Sequence, residues 1–144
     1  MKPFPPVADL VPHAPPTLAL EELLAWSPGQ ATLRLRIRPH GLLVDGDGAD
    51  AVVALELLAQ GAAACLGYAA FRSGGAVRVG MVVGVRKLQL LRPRLFVGEQ
   101  FTVHVLCTRG NDEVSTWNGE LRDAARVLAA SATMTIVHAE RPPD

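Results

Sequence analysis

Residues 51–71 read AVVALELLAQGAAACLGYAAF, a run of 21 residues in which Glu56 is the only charged side chain. Gly48 or Asp50, just before the run, can cap a helix, and the Gly-rich residues 72–75 provide a stop signal. The run therefore predicts one long helix. Because it is apolar nearly all round, we expect other elements to enclose it rather than leave one face in water.

The length of this run would also suit a membrane-spanning helix. However, Glu56 and Gln60 lie inside it, Arg72 follows it, and Ala and Gly make up most of its bulk. A carboxylate at the bilayer centre costs about 3 kcal/mol on insertion scales. We therefore expect the buried helix of a soluble domain and no membrane association.

Outside the helix, the sequence alternates with a period of two, which indicates strands. Residues 1–16 are Pro-rich and predict an arm that runs extended over the surface. Residues 41–50, with three Gly and three Asp, predict a loop. The expected strands cover residues 17–26 (a strand or a short helix), 31–38, 78–91, 99–107, 114–122 and 126–138, and the last four are expected to form a meander.

A single apolar helix beside one antiparallel sheet can be buried only if the sheet curls around it. The prediction is therefore an α+β hotdog fold, in which a curled antiparallel sheet wraps one long central helix, as a single domain over residues 1–144. Such a sheet keeps open edges, so a homodimer or higher homo-oligomer is expected.

Composition excludes several classes of function. The 14 basic and 14 acidic side chains balance, which argues against a nucleic-acid partner. The two cysteines, Cys65 and Cys107, lie in apolar runs and are expected to be free thiols in a reducing compartment. No secretory signal precedes the domain, which indicates the cytoplasm. No spacing typical of metal ligands or of a cofactor site occurs.

Glu56 is the main candidate for chemistry. A lone carboxyl in so apolar a helix is predicted to be desolvated, with a raised pKa suited to proton transfer; a solvent-facing Glu or a structural ion pair is the alternative. Gln60, one turn later, would orient Glu56, contact a substrate or bond within the structure. The backbone N–H of Ala51, at the helix start, is a candidate to polarise a thioester carbonyl.

Three ordered motifs carry a family resemblance. Residues 54–60 (ALELLAQ) resemble the central-helix motif of the beta-hydroxyacyl-(acyl-carrier-protein) dehydratases. Residues 84–87 (GVRK), Arg92-Pro93 and residues 98–101 (GEQF) resemble that family's downstream segments. Val11-Pro12-His13 is similar to its opening Leu-Pro-His. The chain most resembles the branch of hotdog dehydratases associated with aryl polyene pathways.

The resemblance has one departure. In that family a catalytic His precedes the helix acid by about fourteen residues, and the corresponding residue here is Leu42. His13 is the preferred candidate for the catalytic base, within a subunit or across a dimer, and His40 is the second. His104 and His138 are expected to be ordinary surface residues.

The resemblance implies dehydration of 3-hydroxyacyl thioesters, carried by acyl carrier protein or coenzyme A, in fatty-acid or polyene-type synthesis. Besides Ala51 and Gln60, Gly84 is a candidate substrate contact. A basic cluster is the candidate carrier-protein surface, with a solvated strand edge as its alternative: Arg86, Lys87, Arg92 and Arg94. Two other functions stay open. The first is a non-catalytic acyl-binding or partner subunit of a related dehydratase. The second is a hotdog acyl thioesterase.

Overall fold

The computed structural model describes residues 4–12, 17–75, 79–111 and 113–139. One helix and nine strands follow a short 3-10 helix at Val7–Asp9 within these ranges. In chain order they are β1 (Leu20–Ser27), β2 (Gln30–Arg36), β3 (Val44–Asp45), β4 (Gly48–Asp50), α1 (Val53–Arg72), β5 (Val79–Leu90), β6 (Arg94–Phe96), β7 (Gln100–Gly110), β8 (Val114–Asp123) and β9 (Leu128–Ala139).

The main sheet has six antiparallel strands in the order β1-β2-β7-β8-β9-β5 and wraps α1. Along the central strands, buried side chains that face the helix alternate with outward-facing ones. In β2, for example, Leu33 and Leu35 are fully buried and alternate with the outward-facing Arg34 and Arg36. One apolar core joins these buried side chains to the helix. The α+β hotdog fold predicted from the sequence is confirmed.

The predicted four-strand meander is wrong in one respect. β7, β8 and β9 follow one another as neighbours, but β5 pairs with β9 at the sheet edge and not with β7. The chain between β5 and β7 runs through β6, which pairs with β4 in a second sheet of order β3-β4-β6. This link carries the chain from the edge of the main sheet to its middle, where β7 pairs with β2.

The helix begins slightly later than expected. Its N-cap is Val52, not Asp50 or Gly48, although Asp50 Oδ1 accepts a hydrogen bond of 2.9 Å from the Val52 N–H. By length and composition α1 would suffice to cross a membrane, but 56% of its most apolar 18-residue window is buried inside the protein. It is the core helix of the hotdog sheet.

Glycines let the chain approach this helix closely. A Cβ at Gly61 would lie 2.6 Å from Cγ1 of Val103 on β7, and one at Gly67 would lie 1.7 Å from the carbonyl oxygen of Leu10. The N-terminal segment therefore does not simply run over the surface, as was expected. It packs against the helix with three buried side chains: Val7, Leu10 and Val11.

Candidate functional site

Glu56 lies in the first turn of α1 and is half-buried. It belongs to a row of helix residues that the sheet leaves partly or fully exposed. We call this row the open stripe, and its members recur at intervals of four and three, which places them on one helix face: Val52, Glu56, Ala59, Ala63, Leu66 and Ala70. The carboxyl thus sits on a helix face that the described part of the chain leaves partly exposed.

Gln60 is fully buried one turn after Glu56. Its side chain hydrogen-bonds both to Glu56 on the same helix and to the chain that precedes β1. Its Nε2 donates to Glu56 Oε1 at 3.1 Å and to the Thr17 carbonyl at 2.7 Å. Its Oε1 accepts from the Ala19 N–H at 3.0 Å. The amide therefore joins the candidate acid to the segment that leads into β1.

A cavity of about 740 Å³ lies beside the start of the helix. It opens where β1 and β2 part, beyond their last registered pair, Leu20 with Leu35. From the helix, Val53 and Leu57 line it, three residues before and one residue after Glu56. Its volume lies within the range of small-molecule sites. An apolar chain therefore has room to lie against Val53 and Leu57, although Glu56 itself is not among the lining residues.

The mouth of this cavity is charged. Arg34 and Arg38, both on its lining, form ion pairs with Glu22 at 2.7 Å and with Glu21 at 3.0 Å. Arg36 donates instead to neutral acceptors, the Gly98 carbonyl and the Gln100 side chain. The apolar interior is thus entered past groups that water solvates well.

The backbone donor proposed at the helix start is already engaged. The Ala51 N–H, expected to polarise a thioester carbonyl, donates to the Pro93 carbonyl at 3.0 Å, and Ala51 is buried. This bond ties the helix start to the chain just before β6. The expectation for Ala51 is therefore corrected, because a paired N–H has no proton left to offer a substrate oxygen.

The histidines fall into different surroundings. His13 lies outside the described residues. His40 is exposed at the rim of the cavity. His104 points outward from β7, opposite Glu120. His138 is half-buried on the inward row of β9, and its Nε2 lies 2.7 Å from Ser115 Oγ, so it is not the ordinary surface residue that was expected.

The four basic candidates do not form one free patch. Arg92 pairs with Glu99 and lies over the Phe96 and Phe101 rings, whereas Arg94 pairs with Asp47 at 3.0 Å. Among the described residues, no ion pair involves the other two, Arg86 and Lys87, which are exposed on β5.

Gly84, the remaining candidate substrate contact, lies at a bulge of the same edge strand. A Cβ there would meet only Thr135 at ordinary contact distance, so close packing does not require glycine at this position.

The cysteines are free, as expected. Burial raises the pKa of the Cys65 thiol to about 12, which makes it a poor nucleophile at neutral pH. Within the described residues, no cluster of three His, Cys, Asp or Glu side chains that could hold a metal ion occurs.

The cavity walls were not predicted from the sequence. The alternation of residues 31–38 placed Leu35 and Ile37 on the inward side, but it gave no sign that β1 would part from β2. The available signal was the pair Glu21-Glu22, which breaks the alternation of β1 where the register shifts between Leu20 and Glu22.

Comparison with known proteins gives a family match over nearly the whole chain. Residues 5–143 match the model of the family described as ApeP-like, ApeP dehydratase. No curated protein matches the sequence significantly.

Several solved structures share the fold. The dehydratase heterocomplex ApeI:P from Xenorhabdus doucetiae aligns with a TM-score of 0.87 and 18% identity, over 98% of this chain and 93% of that one. A hypothetical thioesterase with coenzyme A from Streptococcus pneumoniae aligns at 0.63 and 11%, over 85% and 88%. The E. coli PaaI protein from the phenylacetic acid degradation operon aligns at 0.63 and 12%, over 83% and 80%.

Proposed function

The chain belongs to the ApeP-like family of ApeP dehydratases, and from this premise we propose that it dehydrates 3-hydroxyacyl thioesters, with Glu56 as a proton-transfer group. One observation carries the proposal. The half-buried Glu56 carboxyl is held by a buried amide, and Val53 and Leu57, on either side of it in the helix, line an apolar cavity large enough for an acyl chain.

Dehydration removes a proton from C2 and the hydroxyl from C3, so that a C2=C3 double bond forms and water leaves. We assign protonation of the leaving hydroxyl to Glu56 and removal of the C2 proton to His13. The placement of Thr17 supports the assignment of Glu56 and His13 to one site. The Thr17 carbonyl accepts a hydrogen bond from the same Gln60 nitrogen as Glu56. His13 precedes Thr17 by only four residues. Four residues span at most about 14 Å.

We place the acyl chain in the cavity, against Val53 and Leu57, with its thioester end toward the open stripe. The carrier is proposed to be acyl carrier protein, and Arg86 and Lys87 are its candidate contacts because they are exposed cations in the second half of β5, beyond Met81 and Val83. A coenzyme A thioester is the alternative; the solved S. pneumoniae thioesterase contains that group.

Within the described residues, β5 pairs only with β9, and its other edge supports a second subunit. This strand bonds to β9 on one side, and its exposed side chains include Met81, 66% exposed, and Val83, 57% exposed. An unpaired edge with exposed apolar side chains favours pairing with another strand. We propose that a related dehydratase subunit occupies it, as the name of the X. doucetiae heterocomplex suggests for that protein. A second copy of this chain is the alternative.

A non-catalytic role is the second candidate function, and Leu42 favours it. The residue that matches the catalytic His of the resembled dehydratases is apolar here and partly buried on the cavity wall. In that case the chain binds acyl groups or supports the partner, and the partner supplies the proton-transfer groups.

The deciding experiment follows hydration of a crotonyl carrier-protein thioester, and the reverse dehydration, with the chain alone and with the related subunit co-expressed. We expect Glu56→Gln to lower the rate by about 10²- to 10⁴-fold, the usual contribution of a general acid. Glu120→Gln is the matched control, because Glu120 lies on the convex face of the sheet and pairs with Arg122.

Other results of this experiment would contradict the assignment or favour a different function. An unchanged rate in Glu56→Gln of an active complex would contradict the assignment and favour the non-catalytic role. Release of a free thiol would favour a thioesterase. Val83→Lys, which puts a charge on the β5 edge, is expected to dissociate the complex in size-exclusion chromatography. An intact complex would rule out β5 as the contact surface.

A further inference from the structure

The Gln60 side chain has three partners in two parts of the chain. On one side it holds Thr17 and Ala19, which lead into β1, and on the other it holds Glu56. Gln60 is 0% exposed, so water cannot replace a lost partner. Both protons of its Nε2 are used, one at 2.7 Å and one at 3.1 Å.

These partners fix the orientation of the amide. A flipped Gln60 would direct its oxygen at the Thr17 carbonyl and at Glu56 Oε1, which are both acceptors, and its NH₂ at the Ala19 N–H, which is a donor. Only one orientation satisfies all three contacts. The nitrogen that faces Glu56 is therefore held there by the backbone of the N-terminal segment.

We propose that Gln60 is a positioning residue that sets the Glu56 carboxyl and the N-terminal segment in one arrangement. This inference rests on the proposed function, because the proposed dehydration is the reaction in which the Glu56 carboxyl transfers a proton. It also replaces the expectation that Gln60 contacts substrate, since both of its N–H protons are engaged within the protein. Leu18 and Ala19 also line the cavity, so the same amide holds part of the cavity wall.

The test compares Gln60→Glu and Gln60→Leu with the wild type. Gln60→Glu keeps the shape and an acceptor for the Ala19 N–H but cannot donate to the Thr17 carbonyl and to Glu56 at the same time. Gln60→Leu removes all three bonds. Trp26→Phe is the matched control, because it deletes another bond from β1 to the helix, from Trp26 Nε1 to the Cys65 carbonyl at 3.0 Å, far from Glu56.

In the active complex, we expect both Gln60 variants to lose roughly 10²-fold in kcat, the order expected when a reacting group is misplaced by about 1 Å. The kcat of Trp26→Phe should stay unchanged. In a Glu56→Gln background, Gln60→Leu should cause no further loss, because its effect acts through Glu56. A Gln60→Glu variant with wild-type kcat, or an additive loss in the double variant, would overturn the proposal.

Two measurements need no turnover and separate this inference from the proposed function. Amide hydrogen exchange at Ala19 should be slow in the wild type and fast in Gln60→Leu, with Trp26→Phe like the wild type. The ¹³C signal of the Glu56 carboxyl should shift in Gln60→Leu but not in Trp26→Phe. If wild-type complexes show no activity while both signals change as stated, the proposed function fails and the positioning contact stands. If neither signal changes, the positioning role is refuted.

Discussion

Gly67→Ala tests how the N-terminal segment is attached to the helix. The added Cβ would lie 1.7 Å from the Leu10 carbonyl oxygen and 2.6 Å from its carbonyl carbon. Both are backbone atoms, so no side-chain rotation can relieve the clash. The segment or the helix must move by about 1.7 Å before the contact reaches an ordinary van der Waals distance.

The size of the effect follows from what that movement uncovers. Val7, Leu10 and Val11 are at most 5% exposed, and burying each side chain stabilises the fold by about 1.5–3 kcal/mol. Full detachment of the three side chains would cost about 4.5–9 kcal/mol. The better helix propensity of Ala returns about 1 kcal/mol. We therefore expect detachment to lower the free energy of unfolding by a net amount of about 3.5–8 kcal/mol.

Urea unfolding of the wild type and of Gly67→Ala measures this loss. Ala69→Gly, at an exposed position of the same helix, calibrates the propensity difference alone. Leu10→Ala should cost about 2–5 kcal/mol in the wild type but much less in Gly67→Ala, because the side chain is already displaced there. Equal or greater stability of Gly67→Ala would refute the close contact between the segment and the helix.

Other predictions concern buried groups. In the folded chain at pH 8, iodoacetamide should alkylate Cys107 before Cys65, as peptide mapping can show, because burial raises the pKa of the Cys65 thiol to about 12. Since the unfolded chain releases that proton near the ordinary value of 9.0, stability should be full below pH 9 and fall as pH rises toward 12, by up to about 1.4 kcal/mol per unit. Urea midpoints above pH 9 should fall less in Cys65→Ala; equal slopes would contradict this. Ser115→Ala should cost about 1–3 kcal/mol, seen as a lower Tm than in Thr116→Ala, because the buried Trp117 Nε1–H, now 2.7 Å from Ser115 Oγ, would lose its acceptor.

Local patterns predicted most of the elements because their signals lie within single segments. Residues 51–71 became α1, since their apolar character and the following glycines act over adjacent positions. The place of β5 beside β9 depends on which strands meet in space, and no local pattern records it. β3 and β4 have two and three residues, too few for a period to show.

In the candidate site, too, contacts within one segment were predicted and contacts between distant segments were not. The spacing of Glu56 and Gln60 placed both on one helix face, and they do hydrogen-bond there. The Ala51 donor was wrong because its acceptor, the Pro93 carbonyl, comes from a part of the chain remote in sequence. The proton-transfer role of Glu56 and that of His13 stay predictions.

Two glycines where the helix meets the sheet set how tightly the sheet can bend. On the helix, Gly61 lets Val103 approach, and on β8, Gly119 would place a Cβ only 3.1 Å from Leu58 Cβ. Each missing methyl group shortens the distance between the axis of the helix and the strands. The curvature of the sheet therefore depends on the small size of residues in both the helix and the sheet. A single methyl group added at Gly61 should push β7 outward and flatten the sheet from its centre.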